Sequence, residues 1–282
     1  MYQFYEVSQL GEGLYKIAER HFPKGMAVMM YLIVGEKEAA LIDSGFGVTD
    51  TLRSCVESLT DKPITCYVAH GHPDHAGAAA LFDRVYMSER DDALLGISLS
   101  KERRVDDVFR MGQDDGMRAY IDAHIVMTDK LNYRNIDAGD VIDLGGKQLE
   151  VYALPGHTQG SLAFYDRAGN YAMTSDAFSP RTALTTLPKE KRMGLTAYRD
   201  GLDRFLNAIN EDTVLLTGHG EEPMSQQIPR DMLQACCEVL DGRTENDVVC
   251  DNIFSRRLSA AGKKMCEHKT GCVTLVYDAN TL

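Results

Sequence analysis

Four side chains that commonly bind metal ions stand close together in the first third of the chain. Residues 70–75 read His-Gly-His-Pro-Asp-His. On an extended segment, side chains two residues apart point the same way, so His70 and His72 can bind one ion together. Asp74 and His75 follow a turn favoured by proline and are free to point at a second ion. Burying four polar, titratable side chains gives no advantage to a core, and the cluster therefore indicates a metal site.

Three further candidate ligands lie downstream, each predicted at the end of a strand. His157 stands in Leu-Pro-Gly-His-Thr, Asp176 in Thr-Ser-Asp and His219 in Thr-Gly-His-Gly. Residues that end separate strands can converge at one edge of a sheet. Imidazoles and carboxylates together favour zinc, with iron or manganese as alternatives. The absence of cysteine from the cluster argues against a purely structural zinc site.

The remaining histidines are given a different interpretation. A lone histidine is usually a surface or hydrogen-bonded residue, and we assign that role to His21, His124 and His268. Cys266, His268 and Cys272 have a loose metal-like spacing. They lack a fourth ligand nearby, so we interpret this spacing as chance.

Hydrophobic patterning predicts the elements that position these residues. The segment 64–69 is a short apolar run that leads directly into His70, so a strand ends where the ligand cluster begins. Two blocks of strands, each followed by helices, predict an α/β or α+β fold with two sheets packed face to face and helices outside. The predicted strands are 13–18, 28–34, 39–42, 64–69, 148–154, 161–165, 171–174, 213–217 and 273–277. The predicted helices are 48–59, one beginning after the histidine cluster, 197–209 and 229–240.

The whole chain, 1–282, is predicted to be a single domain with an inserted cap. The candidate cap, residues 86–136, is charged, contains methionine and is intermittently helical. Three of its methionines, Met111, Met117 and Met127, could form an adaptable apolar wall, although core packing is the favoured interpretation.

The amino-acid composition indicates which partners the protein can bind and in which compartment it works. A formal net charge of −12 opposes binding to nucleic acid, because such binding depends on clustered lysine and arginine. We find no apolar run long enough to span a bilayer, and residues 1–20 lack the apolar stretch of a signal peptide. Seven cysteines without a repeating spacing fit a reducing compartment. The sequence thus predicts a cytoplasmic protein that acts on a small molecule, away from membranes.

At the ligand residues the sequence resembles the metallo-β-lactamase superfamily, whose signature His-x-His-x-Asp-His matches residues 70–75. The order of the later histidine, aspartate and histidine also matches. The resemblance implies a four-layer αββα sandwich that binds two divalent ions. It implies that His70, His72 and His157 hold the first ion, that Asp74, His75 and His219 hold the second, and that Asp176 bridges both.

The same resemblance extends to an earlier motif and also shows departures. Leu-Ile-Asp-Ser-Gly at 41–45 resembles the early strand-end motif of the family and implies that Asp43 orients a ligand imidazole. The alternative for Asp43 is a turn cap before Gly45. Ser179 stands where lactonases of this fold commonly have tyrosine, which disfavours an acyl-homoserine lactone. Secreted antibiotic-hydrolysing members usually have cysteine in place of the bridging aspartate and are also disfavoured.

These observations predict a hydrolase that cleaves an ester, thioester, lactone or amide bond. Two ions can share a hydroxide, since metal binding lowers the pKa of water from about 15.7 to about 7. Asp74 is the predicted catalytic carboxylate that also handles a proton. The alternatives are a mononuclear iron persulfide dioxygenase, a phosphodiesterase of the same fold, and a regulatory or scaffolding protein without turnover. Candidate substrate contacts in the motif loops are Phe46, Phe178, Ser179 and Arg181.

Overall fold

The first of two large sheets has seven strands that follow one another in sequence order. The computed structural model describes residues 4–20, 27–110, 115–184, 194–250 and 264–281. Neighbouring strands are antiparallel up to the fourth, and the fourth to seventh are parallel. The strands are β1 (Tyr5–Gly11), β2 (Leu14–Glu19), β3 (Val28–Val34), β4 (Ala39–Ile42), β5 (Ile64–Val68), β6 (Val85–Met87) and β7 (Arg134–Asn135).

The second large sheet has five strands, and a third sheet of four strands lies near the C-terminus of the sequence. The five strands are β8 (Val141–Asp143), β9 (Gln148–Ala153), β10 (Leu162–Asp166), β11 (Tyr171–Ser175) and β13 (Val214–Thr217), in the spatial order β13-β11-β10-β9-β8. Only its β11–β13 pair is parallel. The third sheet comprises β12 (Arg181–Ala183), β16 (Val273–Asp278), β15 (Met265–Thr270) and β14 (Val248–Val249), in that order.

The helices lie between and after the strands. They are α1 (Leu52–Glu57), α2 (Pro73–Ala76), α3 (Asp92–Ser98), α4 (Lys101–Arg110), α5 (Asp115–His124), α6 (Leu195–Ala208) and α7 (Gln227–Leu240). Single 3₁₀ turns occur at 79–81, 89–91 and 279–281. Within the described ranges, no helix combines the length and the apolar character that a membrane crossing requires.

Strand β3 shows how the layers are built, because both of its faces are buried. Met30 and Leu32 point to one side, where they share a cluster with Leu52 of α1. Tyr31 and Ile33 point to the other side and pack with Phe164 of the second sheet. Successive side chains of a strand alternate between faces, so an unbroken apolar run fits a strand covered on both sides.

The outer face of the second sheet packs on helices in turn. Tyr165 of β10 shares a cluster with Leu202 of α6 and Met232 of α7. The order is therefore helices, sheet, sheet, helices, which confirms the predicted four-layer sandwich. The predicted division into one domain with a cap at 86–136 stays a prediction, although α3, α4 and α5 all fall within that segment.

Predicted and observed elements differ at several places, among them the start of α1 and the strand β15. The helix predicted over 48–59 begins only at Leu52. The Val48 N–H donates to Glu19 Oε1 at 3.4 Å, so the backbone at 48 is part of a loop held from β2. Strand β15 was not predicted, because Met-Cys-Glu-His-Lys-Thr has no clear apolar alternation.

Candidate metal centre

The candidate ligands meet because several parallel strands end at the same place. Asp43 directly follows β4, and His70 lies just beyond the parallel strand β5. Asp176 directly follows β11, and His219 lies just beyond the parallel strand β13. Sites in α/β sheets form outside the carboxyl ends of parallel strands. The fifth position, His157, comes from the loop between β9 and β10.

The first ligand group consists of three histidines, His70, His72 and His157. One nitrogen from each ring lies within 4.8 Å of the others. His72 Nδ1 and His157 Nε2 are 2.8 Å apart, with the two rings edge to face. The His70 ring is edge-on to both, with centroids at 4.8 and 4.9 Å. Three imidazoles that converge in this way resemble the protein ligands of a catalytic zinc site, which leaves one position open.

The second ligand group consists of Asp74, His75, Asp176 and His219, again with ligand atoms within 4.8 Å of one another. His219 Nε2 lies 3.3 Å from Asp74 Oδ2 and 3.2 Å from Asp176 Oδ2. Asp176 Oδ2 is also 3.7 Å from His157 Nε2 of the first group. Asp176 therefore lies between the two groups, where a bridging carboxylate would be placed.

Unsatisfied nitrogens show that these residues fit a divalent metal ion. Within the part of the chain that the structure describes, the buried atoms His70 Nε2 and His75 Nε2 have no hydrogen-bond partner. A buried polar atom left unpaired costs about 1–3 kcal/mol. A Cβ on Gly218 would lie 2.5 Å from Asp176 Oδ1 and 2.7 Å from His75 Cε1, so only glycine lets the second group come together. The donor set of imidazole and carboxylate is suited to zinc, iron or manganese.

The two ligand groups differ in their charge. Burial, then the neighbouring histidines, lowers the pKa of His70 well below its ordinary value, and burial and His72 lower that of His157 to about 4. Burial also lowers the pKa of His72. The first group is thus neutral at pH 7, which is the form that binds metals.

The second group combines negative and positive charges. Burial opposes protonation of His219, but Asp176 and Asp74 outweigh it and raise the pKa of His219 to about 10. Burial opposes ionisation of Asp74 and Asp176, yet His75 and His219 hold the pKa of both carboxyls below the ordinary range. Burial likewise opposes protonation of His75, but Asp43, Asp74 and Asp176 outweigh it and raise the pKa of His75 well above the ordinary value. Without a bound ion, two carboxylates therefore lie beside two protonated histidine rings, which must lose a proton before they bind a metal.

Asp43 contacts the second group directly. Its Oδ2 lies 2.8 Å from His75 Nδ1, and its Oδ1 accepts the Ala69 N–H at 2.7 Å. Its backbone has a φ of 64°. The carboxylate thus joins the end of β4 to the end of β5, rather than capping its own turn, and these contacts support the predicted role of Asp43 in orienting an imidazole.

Ser175 was missed by the sequence reasoning, although it directly precedes Asp176. Its Oγ donates to Asp43 Oδ2 at 2.7 Å and lies 3.1 Å from His75 Nδ1. The same Oγ is 3.4 Å from His70 Nδ1. A serine beside a ligand is the only signal that the sequence offers for this contact.

Asp91 was also missed, and it connects the two loops of the first group. Its Oδ2 accepts the Gly71 N–H at 2.8 Å and the Thr158 hydroxyl at 2.7 Å. Its Oδ1 accepts the Gly160 N–H at 2.7 Å. Burial raises the pKa of Asp91, and the Thr158 hydroxyl opposes this shift. In the sequence, Asp91 cannot be told apart from the other acidic residues of a charged segment.

Two further buried charged residues hold the loop that follows Asp43. Arg104 of α4 donates to the Phe46 carbonyl at 3.1 Å and to the Gly77 carbonyl at 3.0 Å. Glu19 accepts the Phe46 N–H. Burial lowers the pKa of Arg104 to about 10 and raises that of Glu19 to about 7. The loop backbone is therefore bound from both sides, by β2 and by the segment predicted as a cap.

The four predicted substrate contacts fall into two classes. Phe46 and Phe178 are 2% and 0% exposed and belong to the hydrophobic clusters on the two outer faces, so we correct their assignment to core packing. The Ser179 hydroxyl donates to the Arg181 carbonyl, and the exposed Arg181 guanidinium donates to Glu267 at 2.7 Å. Contact of Ser179 or Arg181 with a substrate stays a prediction.

The other predicted histidines and methionines lie apart from the ligand groups. His124 is exposed, with Nδ1 2.7 Å from the Tyr120 carbonyl oxygen. Met117 packs, partly buried, against the cluster on the outer face of the first sheet, whereas Met127 is 49% exposed. The metal-ligand groups found among the described residues do not include Cys266, His268 or Cys272. His21 and Met111 lie outside the described residues.

Comparisons with known proteins identify the family of this chain. Residues 23–219 match the family model for the metallo-beta-lactamase superfamily. The human acyl-coenzyme A thioesterase MBLAC2 is 23% identical over 243 residues, which are 77% of this chain and 81% of that protein. The hydroxyacylglutathione hydrolase GloC of Haemophilus influenzae is 28% identical over 191 residues, covering 66% of this chain and 81% of that protein. A beta-lactamase domain protein from Burkholderia ambifaria has a similar fold, with a TM-score of 0.60 and 20% identity over 85% of this chain and 76% of that chain.

Proposed function

Because the chain belongs to the metallo-β-lactamase superfamily, we propose that it is a metal-dependent hydrolase that cleaves the thioester bond of a small acylated thiol. The observation that carries the proposal is the convergence of the two ligand groups, with Asp176 between them. The complete second group favours two bound ions over the mononuclear iron dioxygenase predicted as an alternative.

The names of the relatives support the choice of a thioester. One is a thioesterase for acyl-coenzyme A, and another is a hydrolase for hydroxyacylglutathione. Both names describe removal of an acyl group that is carried by a thiol. Of the four bonds predicted from sequence, the thioester is therefore the first to test.

The cofactors we propose are two divalent ions, with zinc as the first candidate and iron or manganese as alternatives. Held by the two groups, such ions would polarise the thioester carbonyl and lower the pKa of a water molecule. The residues of the chain fix where this happens. Asp43 sets the orientation of His75, and Asp91 fixes the loops of His72 and His157 relative to one another.

Asp74 is the residue we propose for proton transfer. Its side chain is 25% exposed, whereas that of His75 is buried, so Asp74 can meet a bound substrate. Its Oδ2 lies 3.3 Å from His219 Nε2, next to the second group. In hydrolysis, water adds to the carbonyl carbon and the carbon–sulfur bond breaks. Asp74 would accept the proton lost by water and return it to the departing thiolate, giving a carboxylic acid and a free thiol.

Thiol release from a panel of acyl thioesters tests the proposal. The zinc-loaded protein is given short- and long-chain acyl-coenzyme A and a hydroxyacylglutathione, with an oxygen ester, a lactone and a phosphodiester for comparison. We expect release of thiol from at least one thioester and its loss in His72→Ala. His124→Ala, which removes an exposed histidine, is the matched control and should keep full activity. Absence of thiol release from every thioester by the metal-loaded protein would overturn the proposal.

Asp74→Asn tests the proton-transfer role separately. Since general acid–base groups contribute about 10²–10⁴-fold, we expect turnover to fall by a factor in that range. Bound metal is measured in the same sample by elemental analysis. A variant that keeps both full metal occupancy and full turnover would refute the role of Asp74.

A further inference from the structure

The hydroxyl of Ser175 lies behind both ligand groups, on the side away from the unsatisfied nitrogens. Ser175 is 4% exposed. Its Oγ is 2.7 Å from Asp43 Oδ2, 3.1 Å from His75 Nδ1 and 3.4 Å from His70 Nδ1. His70 belongs to the first group and His75 to the second. One hydroxyl is therefore within hydrogen-bonding distance of a ligand from each group.

The positions of the protons follow from the donors and acceptors present. A hydroxyl has one proton, and the shortest of its three contacts is to the Asp43 carboxylate, which can only accept. The oxygen lone pairs of Ser175 then remain to accept an N–H from His70 Nδ1. His75 Nδ1 has the same carboxylate oxygen at 2.8 Å and donates to it.

In the neutral form of each ring, a proton on Nδ1 leaves Nε2 with a free lone pair to which a metal ion can bind. In a neutral imidazole one nitrogen is a donor and the other an acceptor or metal ligand. The nitrogens on the other side of these two rings are His70 Nε2 and His75 Nε2, and both are among the buried side-chain atoms that have no hydrogen-bond partner in the described residues. The hydrogen bonds at Nδ1 thus explain why Nε2 of each ring, which faces the ligand groups, is the nitrogen available to a metal ion.

The backbone of Ser175 adds an independent observation. Its φ is 47°, in the left-handed region that glycine adopts without strain. A side chain there costs on the order of 1–3 kcal/mol and is found mainly where function requires it. The Ser175 carbonyl also accepts the Gly218 N–H at 3.0 Å, which ties this turn to the loop of His219. The chain therefore has a serine hydroxyl at a position whose backbone conformation favours glycine.

We propose that Ser175 is a positioning residue that fixes the Nδ1-protonated form of His70 and, through Asp43, of His75. It thereby couples the two ligand groups. The inference rests on the metal binding assumed in the proposed function and is independent of which bond the protein cleaves.

Two substitutions separate the hydroxyl from the backbone strain. Ser175→Ala removes the hydroxyl and keeps the strain, whereas Ser175→Gly removes both. Ser98→Ala, at a buried serine of α3, is the control. Zinc affinity is measured by competition with a chromophoric chelator. We expect both Ser175 variants to bind zinc about 10–100-fold more weakly, as is typical when a partner of a metal ligand is lost. Ser98→Ala should match the wild type.

The stability of the variants distinguishes positioning from packing. We expect metal-free Ser175→Gly to melt at least as high as Ser175→Ala, because its turn is unstrained, and still to bind zinc weakly. Should Ser175→Ala fail to fold, the glycine variant keeps the test decisive. Zinc affinity within twofold of the wild type in a folded Ser175→Gly protein would overturn the proposal.

Nitrogen NMR of histidine-labelled protein reads the protonated nitrogen directly. In the wild type we expect a proton on Nδ1 of His70 and His75, and in Ser175→Ala a mixture of forms at His70. An unchanged His70 signal in the variant would overturn the proposal. This measurement also succeeds on metal-free protein, so a failure of the wild type to bind zinc would count against the proposed function and leave the role of Ser175 to be decided by the spectrum.

Discussion

Two buried histidines show opposite uses of the same side chain. His70, in the candidate metal centre, has a buried Nε2 with no hydrogen-bond partner in the described part of the chain. His268, on β15, has both nitrogens occupied: Nδ1 lies 2.6 Å from Asp247 Oδ1 and Nε2 lies 3.0 Å from Glu238 Oε2. Burial is similar, at 1% and 7% exposure.

The cluster around His268 is complete without a ligand. The Tyr277 hydroxyl donates to Asp247 at 2.6 Å, and the Thr270 hydroxyl donates to Glu238. The cluster joins α7, the segment before β14 and the third sheet. An unmet lone pair, rather than burial or the ability to titrate, therefore distinguishes the histidine that can bind a metal from the one that stabilises the fold.

Replacing His70 or His268 by alanine should have opposite effects on activity and on stability. This is the largest difference that we expect. His70→Ala should lower thiol release by more than about 100-fold, because loss of a ligand exceeds the 10–100-fold typical for its outer partners. His268→Ala should keep thiol release and lose about 1–3 kcal/mol of unfolding free energy, since Asp247 and Glu238 each lose a partner. Turnover and urea denaturation measure the two quantities. Equal loss of activity in both variants would break the comparison.

Two adjacent aspartates sharpen the comparison around the candidate metal centre. Asp91 joins the loops of the first group, whereas Asp92 accepts the Tyr133 hydroxyl away from the ligands. Asp91→Asn should weaken zinc binding about 10–100-fold, because an amide replaces one of the accepting oxygens. Asp92→Asn should leave zinc affinity unchanged. Chelator competition measures both, and equal affinities would show that the loops are held by other contacts.

The smallest expected effect is the contribution of His268 to the pH dependence of stability. Burial opposes protonation of His268, but Glu238 and Asp247 raise its pKa above the ordinary 6.5. A raised pKa in the folded state stabilises the protein below pH 6.5, and this contribution is lost as the pH rises through the folded-state pKa.

His268→Gln removes this contribution. The difference in unfolding free energy between the wild type and the variant should therefore shrink as the pH is raised above the ordinary pKa of histidine. Urea denaturation of metal-free protein over that range measures it, with His124→Gln as the exposed control. A difference that stays constant with pH would contradict the assignment.

The convergence of the candidate ligand residues could be predicted because their chemistry is local in sequence. Residues 70–75 place four donors within one strand end and one turn, and His157, Asp176 and His219 each follow an apolar run. The sandwich could be predicted because its pattern is also local in sequence. Strand β3 is apolar on both faces, as expected for a strand that is covered on both sides.

The supporting contacts could not be predicted, because they join residues far apart in the chain. Ser175 and Asp43 are 132 residues apart, and Thr158 and Asp91 are 67 apart. Phe46 illustrates the converse error: it lies in a motif loop, but its ring is buried in the core. The predicted cytoplasmic location and the substrate contacts at Ser179 and Arg181 stay predictions.

The number of metal ions bound tests the central claim most directly. Metal-free protein is titrated with zinc, freed of excess metal by gel filtration and analysed for bound metal per chain. Two groups of ligands with Asp176 between them predict two equivalents for the wild type. One equivalent would contradict the paired centre, and no bound zinc would contradict the metal site as a whole.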